Sequence, residues 1–248
     1  MIGVQRILNE KFGIVEKDFL SAELEIVPAL RAKSLGFDRS MVGGYGQDDR
    51  VCSYGALQAI MQTEAPEKTA ICILVDKEEI GSVGNTGMEA RVFETFLGEL
   101  LRLHKEDTDP NVLNRTLAAS KMLSADVDGA FDPIYASVSE RRNASYFGMG
   151  VGLNKYTGAR GKSGANDANA EFVAELRKLF DDNKVRFQIS ELGKVDEGGG
   201  GTIAYILANK GMDVIDCGTP VLSMHSPYEV TSKFDVYMSY KAYKVFMK

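Results

Sequence analysis

Carboxylate and imidazole side chains stand at the ends of separate apolar segments of the chain: Asp48 and Asp49, Glu78 and Glu79, Asp126 and Asp128, and His225. In folds that alternate strands and helices, the carboxyl ends of the strands share one crevice, so these side chains can converge there. Several carboxylates in one cleft repel one another unless a cation neutralises them. Oxygen and imidazole donors together suit zinc, manganese or cobalt. The pattern therefore predicts a divalent-metal site.

The adjacent glutamates Glu78 and Glu79 allow two roles at one place. Neighbouring carboxylates in a turn face the same rim of a crevice, so one can bind a metal while the other accepts and returns protons. An acidic pair at a helix start, such as Asp48 and Asp49, more often serves the helix dipole, and a lone histidine is more often structural. The metal prediction therefore depends on the whole set.

Two further motifs suggest other chemistry. Asp126 and Asp128 resemble the nucleophile motif of haloacid-dehalogenase-type phosphatases, in which the first aspartate attacks phosphorus and the second protonates the leaving group. That motif normally opens its domain, whereas half of this chain precedes it. The glycine run at residues 198–201 lacks the spacing of a nucleotide-binding loop, which favours a flexible turn lining a substrate cleft.

The elements that must position these residues alternate between strand and helix periods, which is typical of an α/β layer fold. Helix periods are clearest after Asn85 and Asn166, which we predict as N-caps, and at residues 229–248. The predicted strands are residues 23–27, 69–75, 121–125, 149–153, 185–189 and 213–216.

Composition and charge narrow the functional classes. The 248 residues, 44% of them hydrophobic, can bury one sizeable core or two small ones. A formal net charge of -6 makes nucleic acid and anionic membranes poor partners. Apolar runs such as residues 70–75 fall far short of the roughly 18 residues of a membrane span. Three cysteines without metal-binding spacing fit a reduced, cytoplasmic chain.

Four short motifs occur in a fixed order: Gly46-Gln47-Asp48-Asp49-Arg50, Asp76-Lys77-Glu78-Glu79-Ile80-Gly81-Ser82, Ser124-Ala125-Asp126 and Met224-His225-Ser226. Together they resemble the motifs of the aspartyl-aminopeptidase and aminopeptidase I family of dinuclear zinc exopeptidases. The second and fourth motifs are specific at this order and spacing, and the resemblance runs over nearly the whole chain. It implies a three-layer mixed sheet with helices on both faces and the hydrolysis of N-terminal residues from peptides.

The resemblance also implies roles for single residues. Asp48 resembles the carboxylate that bridges two metal ions, Glu79 and His225 the remaining ligands of one ion, and Asp126 a ligand of the other. Glu78 resembles the general base. Two zinc ions are implied for a complete site, with cobalt or manganese as alternatives. Asp49 is expected to make structural hydrogen bonds or to face solvent.

Substrate contacts and assembly follow from the same resemblance. Gly200, Gly201 and Thr202 resemble the glycine-rich loop that lines the substrate cleft, and Lys155 falls where the family places a substrate-contacting lysine. Family members form tetrahedral dodecamers. The implied partners are a peptide substrate and further copies of the chain, without nucleic acid or membrane.

One departure from the family pattern concerns a missing ligand. The pattern begins with a histidine in a T-A-H-[IV]-D-type motif, upstream of an inserted dimerisation domain, and this chain has no such motif. We therefore expect residues 1–45 to be the C-terminal remnant of the inserted domain with its connector, and residues 46–248 to be an incomplete catalytic domain. Such a chain should hold at most one metal ion tightly and show little or no activity alone.

Three functions stay open on these grounds. The first is a metal-dependent aminopeptidase, and the second is a phosphatase that uses Asp126 and Asp128. The third is a non-catalytic interaction fragment. Zinc-dependent peptide turnover would favour the first, magnesium-dependent phosphate release the second, and folding without turnover the third.

Overall fold

The structure is a computed structural model that describes residues 2–104, 111–160, 162–194 and 199–248. Its described helices are α1 (Ile2–Phe12), α2 (Gln47–Met61), α3 (Val92–His104), α4 (Val112–Ala118), α5 (Ala170–Asp182), α6 (Ala204–Ala208) and α7 (Lys233–Phe246). Its described strands are β1 (Lys33–Leu35), β2 (Met41–Gly44), β3 (Lys121–Ser124), β4 (Asp128–Gly129), β5 (Val151–Asn154), β6 (Tyr156–Ala159), β7 (Ser163–Asp167), β8 (Phe187–Ser190), β9 (Asp213–Gly218), β10 (Pro220–Leu222) and β11 (Glu229–Ser232). Short 3₁₀ turns cover Glu16–Leu20, Glu78–Ile80 and Pro133–Val138.

The chain divides into two units, Met1–Leu30 and Arg31–Lys248. The first unit contains α1 and the first 3₁₀ turn. The strand predicted at residues 23–27 is wrong, because this segment has no regular structure and the side chains of Leu24 and Ile26 are exposed. A strand needs a hydrogen-bonded neighbour, and none of the described strands pairs with this segment.

The second unit contains two larger sheets and a separate antiparallel pair, β6 and β7. The five-stranded sheet has the order β1-β2-β11-β10-β4, and the four-stranded sheet has the order β3-β9-β5-β8. Both are mixed: β10 is parallel to β4 but antiparallel to β11, and β9 is parallel to β3 but antiparallel to β5. The mixed α/β architecture confirms the predicted fold class.

Helices cover both faces of the four-stranded sheet. Successive side chains of a strand point to opposite faces, and along β9 Ile215 and Val214 belong to two different cores. Ile215 packs with Phe172 of α5 and Tyr243 of α7, whereas Val214 packs with Leu117 of α4 and with residues of α3 and α6. This arrangement gives three layers. None of the described helices is long and apolar enough to cross a membrane.

The register of the four-stranded sheet places buried polar residues at one level. Ser124 of β3 lies beside Asp216 of β9. Asp216 in turn lies beside Asn154 of β5, and Asn154 lies beside Ser190 of β8. Asp126 follows Ser124 by two residues. A predicted metal ligand therefore lies directly after the carboxyl end of β3, next to these buried polar residues.

The other predicted strands had mixed outcomes. Those at residues 121–125, 149–153, 185–189 and 213–216 are confirmed as β3, β5, β8 and β9, with small changes of boundary. The strand predicted at residues 69–75 is wrong, since none of the described strands pairs with it. Ile71, Ile73 and Leu74 are 36%, 38% and 55% exposed.

Both predicted N-caps are wrong. Asn85 lies in irregular structure well before α3, which begins at Val92. Asn166 lies inside β7, where its side-chain amide donates to the carbonyl of Val214 at 3.0 Å, and the residue that precedes α5 is Asn169. The apolar periodicity marked the helix bodies but not their first residues.

The helix predicted at residues 229–248 begins later, at Lys233. Glu229–Ser232 instead form β11, which pairs with both β2 and β10. Ser232 ends the strand and caps α7, because its hydroxyl accepts a hydrogen bond from the backbone N–H of Asp235 at 3.4 Å.

Candidate metal centre

Asp48 and Asp49 lie at the junction of β2 and α2. Gly46 precedes α2 in the left-handed conformation, with φ of +66°, which glycine adopts without steric cost. Asp48 and Asp49 themselves have non-helical backbone angles, and the peptide bond between them is cis. Both side chains therefore belong to residues that precede the regular part of α2.

The glutamate pair lies in the 3₁₀ turn Glu78–Ile80. Lys77 before the turn and Gly81 after it are both left-handed, with φ of +65° and +97°. Two backbone hydrogen bonds close the loop: Gly81 N–H donates to the Glu78 carbonyl at 2.9 Å, and Ser82 N–H donates to the Lys77 carbonyl at 2.8 Å. The tight turn places the two carboxylates close enough for the negative charge of Glu79 to raise the pKa of Glu78.

His225 lies in the turn between β10 and β11 and meets carboxylates from two other segments. Its Nε2 is 2.9 Å from Oδ2 of Asp48 and 3.1 Å from Oε1 of Glu79. Donor atoms around a tetrahedral zinc with bonds of about 2.1 Å are about 3.4 Å apart. The structure thus brings Asp48, Glu79 and His225 together at a spacing close to that of metal ligands.

A second donor group shares Asp48 with the first. Carboxylate oxygens of Asp48, Asp49 and Asp126 all lie within 4.8 Å of one another. The structure differs from the expectation for Asp49, because its Oδ1 is buried and has no hydrogen-bond partner in the described chain. Asp49 therefore belongs to the acidic group rather than to the solvent-facing surface.

Burial dominates the electrostatics of these carboxylates. It raises the pKa of Asp48 to about 7, and the negative charge of Glu79 adds to this effect. Burial is also the main reason why the pKa of Asp49 rises to about 8 and why that of Asp126 lies well above its ordinary value. A bound cation favours the ionised form of such groups. The donor set and the electrostatics therefore fit a divalent metal ion.

Glu78 differs from the residues that group around a metal. It belongs to neither donor group found in the described chain. Burial, followed by the negative charge of Glu79, raises the pKa of Glu78. A carboxylate whose pKa moves toward neutrality is better suited to accept and return a proton.

Comparison with known proteins assigns the chain to a family. The model of the aminopeptidase I zinc metalloprotease family, M18, matches residues 2–247. The chain belongs to this family. It is 54% identical to the probable M18 family aminopeptidase 1 of Clostridium acetobutylicum, over 98% of this chain and 52% of that protein. It is 49% identical to the probable M18 family aminopeptidase 1 of Thermotoga maritima, over 99% of this chain and 54% of that protein.

Solved structures agree with the M18 assignment. The crystal structure of the Thermotoga maritima M18 aminopeptidase superimposes with a TM-score of 0.94 at 48% identity, covering 100% of this chain and 55% of that one. The crystal structure of aminopeptidase I from Clostridium acetobutylicum gives 0.90 at 53% identity, covering 99% and 52%. The predicted family and fold are confirmed, and the chain spans about half the length of these relatives.

The phosphatase alternative is not favoured for this M18 chain. Asp128, the acid that alternative requires, is fully buried, and the hydroxyls of Ser145 and Ser190 donate to its Oδ2. A general acid must reach the leaving group, which a fully enclosed carboxylate does not do.

The remaining predicted residues contact other parts of the M18 chain. Lys155 forms an ion pair with Asp167 and is 44% exposed. The Gly200 carbonyl accepts a hydrogen bond from the backbone N–H of Gly158 at 3.0 Å, and the Thr202 hydroxyl accepts one from the backbone N–H of Ala204 at 3.2 Å. These contacts do not include the donor groups. Gly201 lies between Gly200 and Thr202, and Gly198 of the glycine run lies outside the described residues.

Sequence reasoning missed Glu229, a glutamate only 2% exposed at the start of β11. Its carboxylate accepts hydrogen bonds from the backbone N–H groups of Asp48 at 3.1 Å and His225 at 2.9 Å. The segment Glu229-Val230-Thr231-Ser232 carried no signal of this role, because neither the burial of a carboxylate nor its backbone partners can be read from these residues.

Proposed function

We propose that this chain carries the metal-binding and proton-transferring residues of an aminopeptidase that removes N-terminal residues from peptides. The observation that carries the proposal is the convergence of Asp48, Glu79 and His225, with Nε2 of His225 at 2.9 Å and 3.1 Å from the two carboxylates. The M18 match over residues 2–247 supports it.

Zinc is the metal that the donor set favours, with cobalt or manganese as alternatives. Asp48, Glu79 and His225 would hold one ion, and Asp48 and Asp126 would contribute to a second ion in a complete site. When bound, zinc supplies a Lewis acid that polarises the scissile carbonyl and lowers the pKa of a water molecule. This chain holds at most one of the two ions tightly.

Glu78 is the proposed general base. It lies one residue from Glu79, so it faces the same crevice without joining either donor group. Its raised pKa places proton uptake closer to neutral pH. Glu78 would take a proton from the attacking water and deliver it to the nitrogen of the departing peptide.

Substrate contacts and assembly complete the proposal. Lys155 and the loop of Gly200, Gly201 and Thr202 would line the substrate cleft, with the loop held by the hydrogen bond from the Gly158 backbone to the Gly200 carbonyl. We also propose that the whole enzyme is a homo-oligomer, as the family resemblance implies. A yeast relative of 23% identity is a dodecamer, and this likeness concerns the fold alone.

The first experiment measures zinc binding by the purified chain, using a competing chromophoric chelator. The wild-type chain should bind zinc, and His225→Ala should abolish tight binding because one of three ligands is lost. His104→Ala is the matched control, since the only other histidine lies at the exposed end of α3. Equal binding by both variants would remove the metal site from the proposal.

The second experiment measures turnover in a chimera in which this chain replaces the matched part of the Clostridium acetobutylicum relative. The chimera should hydrolyse aminoacyl p-nitroanilides faster than the isolated chain, because the second donor group of this chain contains carboxylates and no imidazole. A chimera that folds, binds zinc and leaves peptide substrates untouched would favour the non-catalytic alternative.

A further inference from the structure

Glu229 connects two segments that are far apart in the sequence. Oε2 of its carboxylate accepts backbone hydrogen bonds from Gln47 at 2.5 Å and Asp48 at 3.1 Å, at the start of α2. Oε1 accepts a hydrogen bond from the backbone N–H of His225 at 2.9 Å, in the turn between β10 and β11. One side chain therefore holds the backbones that carry two of the three donors in the first group.

We propose that Glu229 is a positioning residue that sets the spacing of Asp48 and His225, so that both can bind the same metal ion. The inference rests on the proposed function, since it assumes that these two residues are metal ligands. Glu229 itself would not touch the metal, because both oxygens of its carboxylate accept hydrogen bonds from backbone N–H groups.

The backbone at Asp48 and at His225 departs from regular secondary structure. Hydrogen bonds from another segment are therefore needed to hold it in place. His225 is left-handed, with φ of +65°, and Ser223 two residues earlier has φ of +60°. Asp48 has extended backbone angles, φ −77° and ψ 110°, although it lies within the bounds of α2, so the regular helix does not hold it. Left-handed residues such as His225 persist only where surrounding contacts hold them. The two oxygens of Glu229 supply such contacts on both sides.

Glu229 is itself anchored in the middle of a sheet. Strand β11 lies between β2 and β10, with Glu229 beside Gly44 of β2. The Gln47 side chain fixes the same point, because its amide donates to the carbonyls of Glu229 at 2.8 Å and Val42 at 3.1 Å. Its oxygen accepts from the Thr231 hydroxyl at 2.6 Å. The sheet and the Gln47 side chain therefore fix the backbone of Glu229, and its carboxylate contacts the segments of Asp48 and His225 from this fixed position.

The chain offers a matched control for a buried carboxylate that only supports the fold. Asp235 is fully buried and accepts backbone hydrogen bonds from Gly148 and Gly150, each at 2.8 Å. These glycines carry no proposed ligand. Asp235 thus performs the same kind of structural task away from the donor groups.

The test compares zinc affinities of the purified chain, measured by chelator competition, for the wild type, Glu229→Gln and Asp235→Asn. Glutamine has the size of glutamate but one acceptor oxygen, so it can hold only one of the two segments. Partners of metal ligands typically change metal affinity by about 10- to 100-fold when they are altered. Glu229→Gln should therefore weaken zinc binding about 10-fold or more. Asp235→Asn should lower the melting temperature with zinc affinity within about twofold of wild type.

A second readout uses the absorption spectrum of the chain loaded with cobalt, which reports the geometry of the ligands. Glu229→Gln should change the visible bands, and Asp235→Asn should leave them as in the wild type. Wild-type affinity and spectrum in Glu229→Gln would overturn the inference, and so would an equal loss of affinity in Asp235→Asn.

The outcomes separate this inference from the proposed function. If wild-type chain binds no zinc, or if His225→Ala binds it as well as wild type, the proposed metal site fails and the inference fails with it. If Glu229→Gln does not fold, the same measurements are made on Glu229→Asp, whose shorter side chain cannot span both segments. Wild-type zinc affinity in that variant would overturn the inference while leaving the metal site intact.

Discussion

At the scale of residues, adjacent side chains of one type acquire different roles from their surroundings. Glu79 places Oε1 at 3.1 Å from His225, whereas Glu78 joins neither donor group and has a pKa raised mainly by burial. The sequence predicted that the pair would divide two tasks, because both residues follow one apolar run. It did not predict Glu229, since nothing in a sequence shows which backbone N–H groups a buried carboxylate will meet.

The division of roles predicts the effect of two substitutions in the chimera. Glu78→Gln should keep the zinc content of the parent and lower kcat about 10²-fold or more, the usual scale of general base catalysis. Glu79→Gln should lose zinc, because it removes a donor from the first group. Elemental analysis and steady-state kinetics on the same samples test both statements. Equal zinc loss in the two variants would show that the roles are assigned wrongly.

Asp216 predicts a pH dependence of stability in the metal-free chain. Burial is the main cause that raises its pKa from 3.8 to about 6, so ionising it in the folded chain costs about 3 kcal/mol more than in the unfolded chain. The stabilisation from the bound proton is complete below pH 4 and is lost as the pH rises through about 6. Asp216→Asn should therefore increase the free energy of unfolding at pH 7 by up to about 3 kcal/mol, and by little at pH 4.

Urea unfolding at both pH values measures this difference. Asp181→Asn is the control, because Asp181 is an exposed aspartate of α5. A pH-independent difference between Asp216→Asn and wild type would contradict the assigned cause.

At the scale of elements, a glycine allows β9 to lie close to the segment that carries Asp126. A Cβ at Gly218, the last residue of β9, would lie 1.5 Å from the backbone carbonyl oxygen of Asp126. No side chain fits there, so the path of the chain at a proposed ligand depends on this glycine. In contrast, a Cβ at Gly98 of α3 would meet nothing within 4 Å.

These two glycines predict opposite effects of the same substitution. Gly218→Ala should destabilise the chain by about 2 kcal/mol or more, because the backbone at Asp126 must move to relieve the clash. Gly98→Ala should stabilise it by roughly 0.5–1 kcal/mol, because alanine favours the helix interior. Chemical unfolding of the two variants gives both values. A neutral Gly218→Ala would show that the 126–127 segment is not held where the structure places it.

A strand or helix can be predicted from the sequence where its own residues carry the signal, but not where its formation depends on a distant partner. Strands β3, β5, β8 and β9 were predicted because short apolar runs end in polar residues. Residues 69–75 carry the same signal, yet none of the described strands pairs with them. A strand forms only where a neighbouring strand is available for pairing, and the residues of one segment do not show this. The boundary at Ser232, between β11 and α7, was missed because the helical spacing of Phe234, Tyr237 and Met238 does not show where the helix begins.

At the scale of the whole molecule, the two donor groups are unequal. The first group contains an imidazole and two carboxylates, and the second contains the carboxylates of Asp48, Asp49 and Asp126. Asp49 was not expected in this second group, but it adds another oxygen rather than an imidazole. Sites made of carboxylates alone suit magnesium, calcium or manganese better than zinc.

The inequality predicts the metal stoichiometry of the isolated chain. After exposure to zinc and dialysis, elemental analysis should find at most one zinc ion per chain, because the first group has three mixed ligands and the second lacks imidazole. Asp126→Asn should leave that number unchanged, whereas His225→Ala should bring it close to zero. Two tightly held zinc ions in the wild type, with one lost in Asp126→Asn, would contradict the prediction. That result would mean that the three clustered carboxylates hold zinc without a histidine.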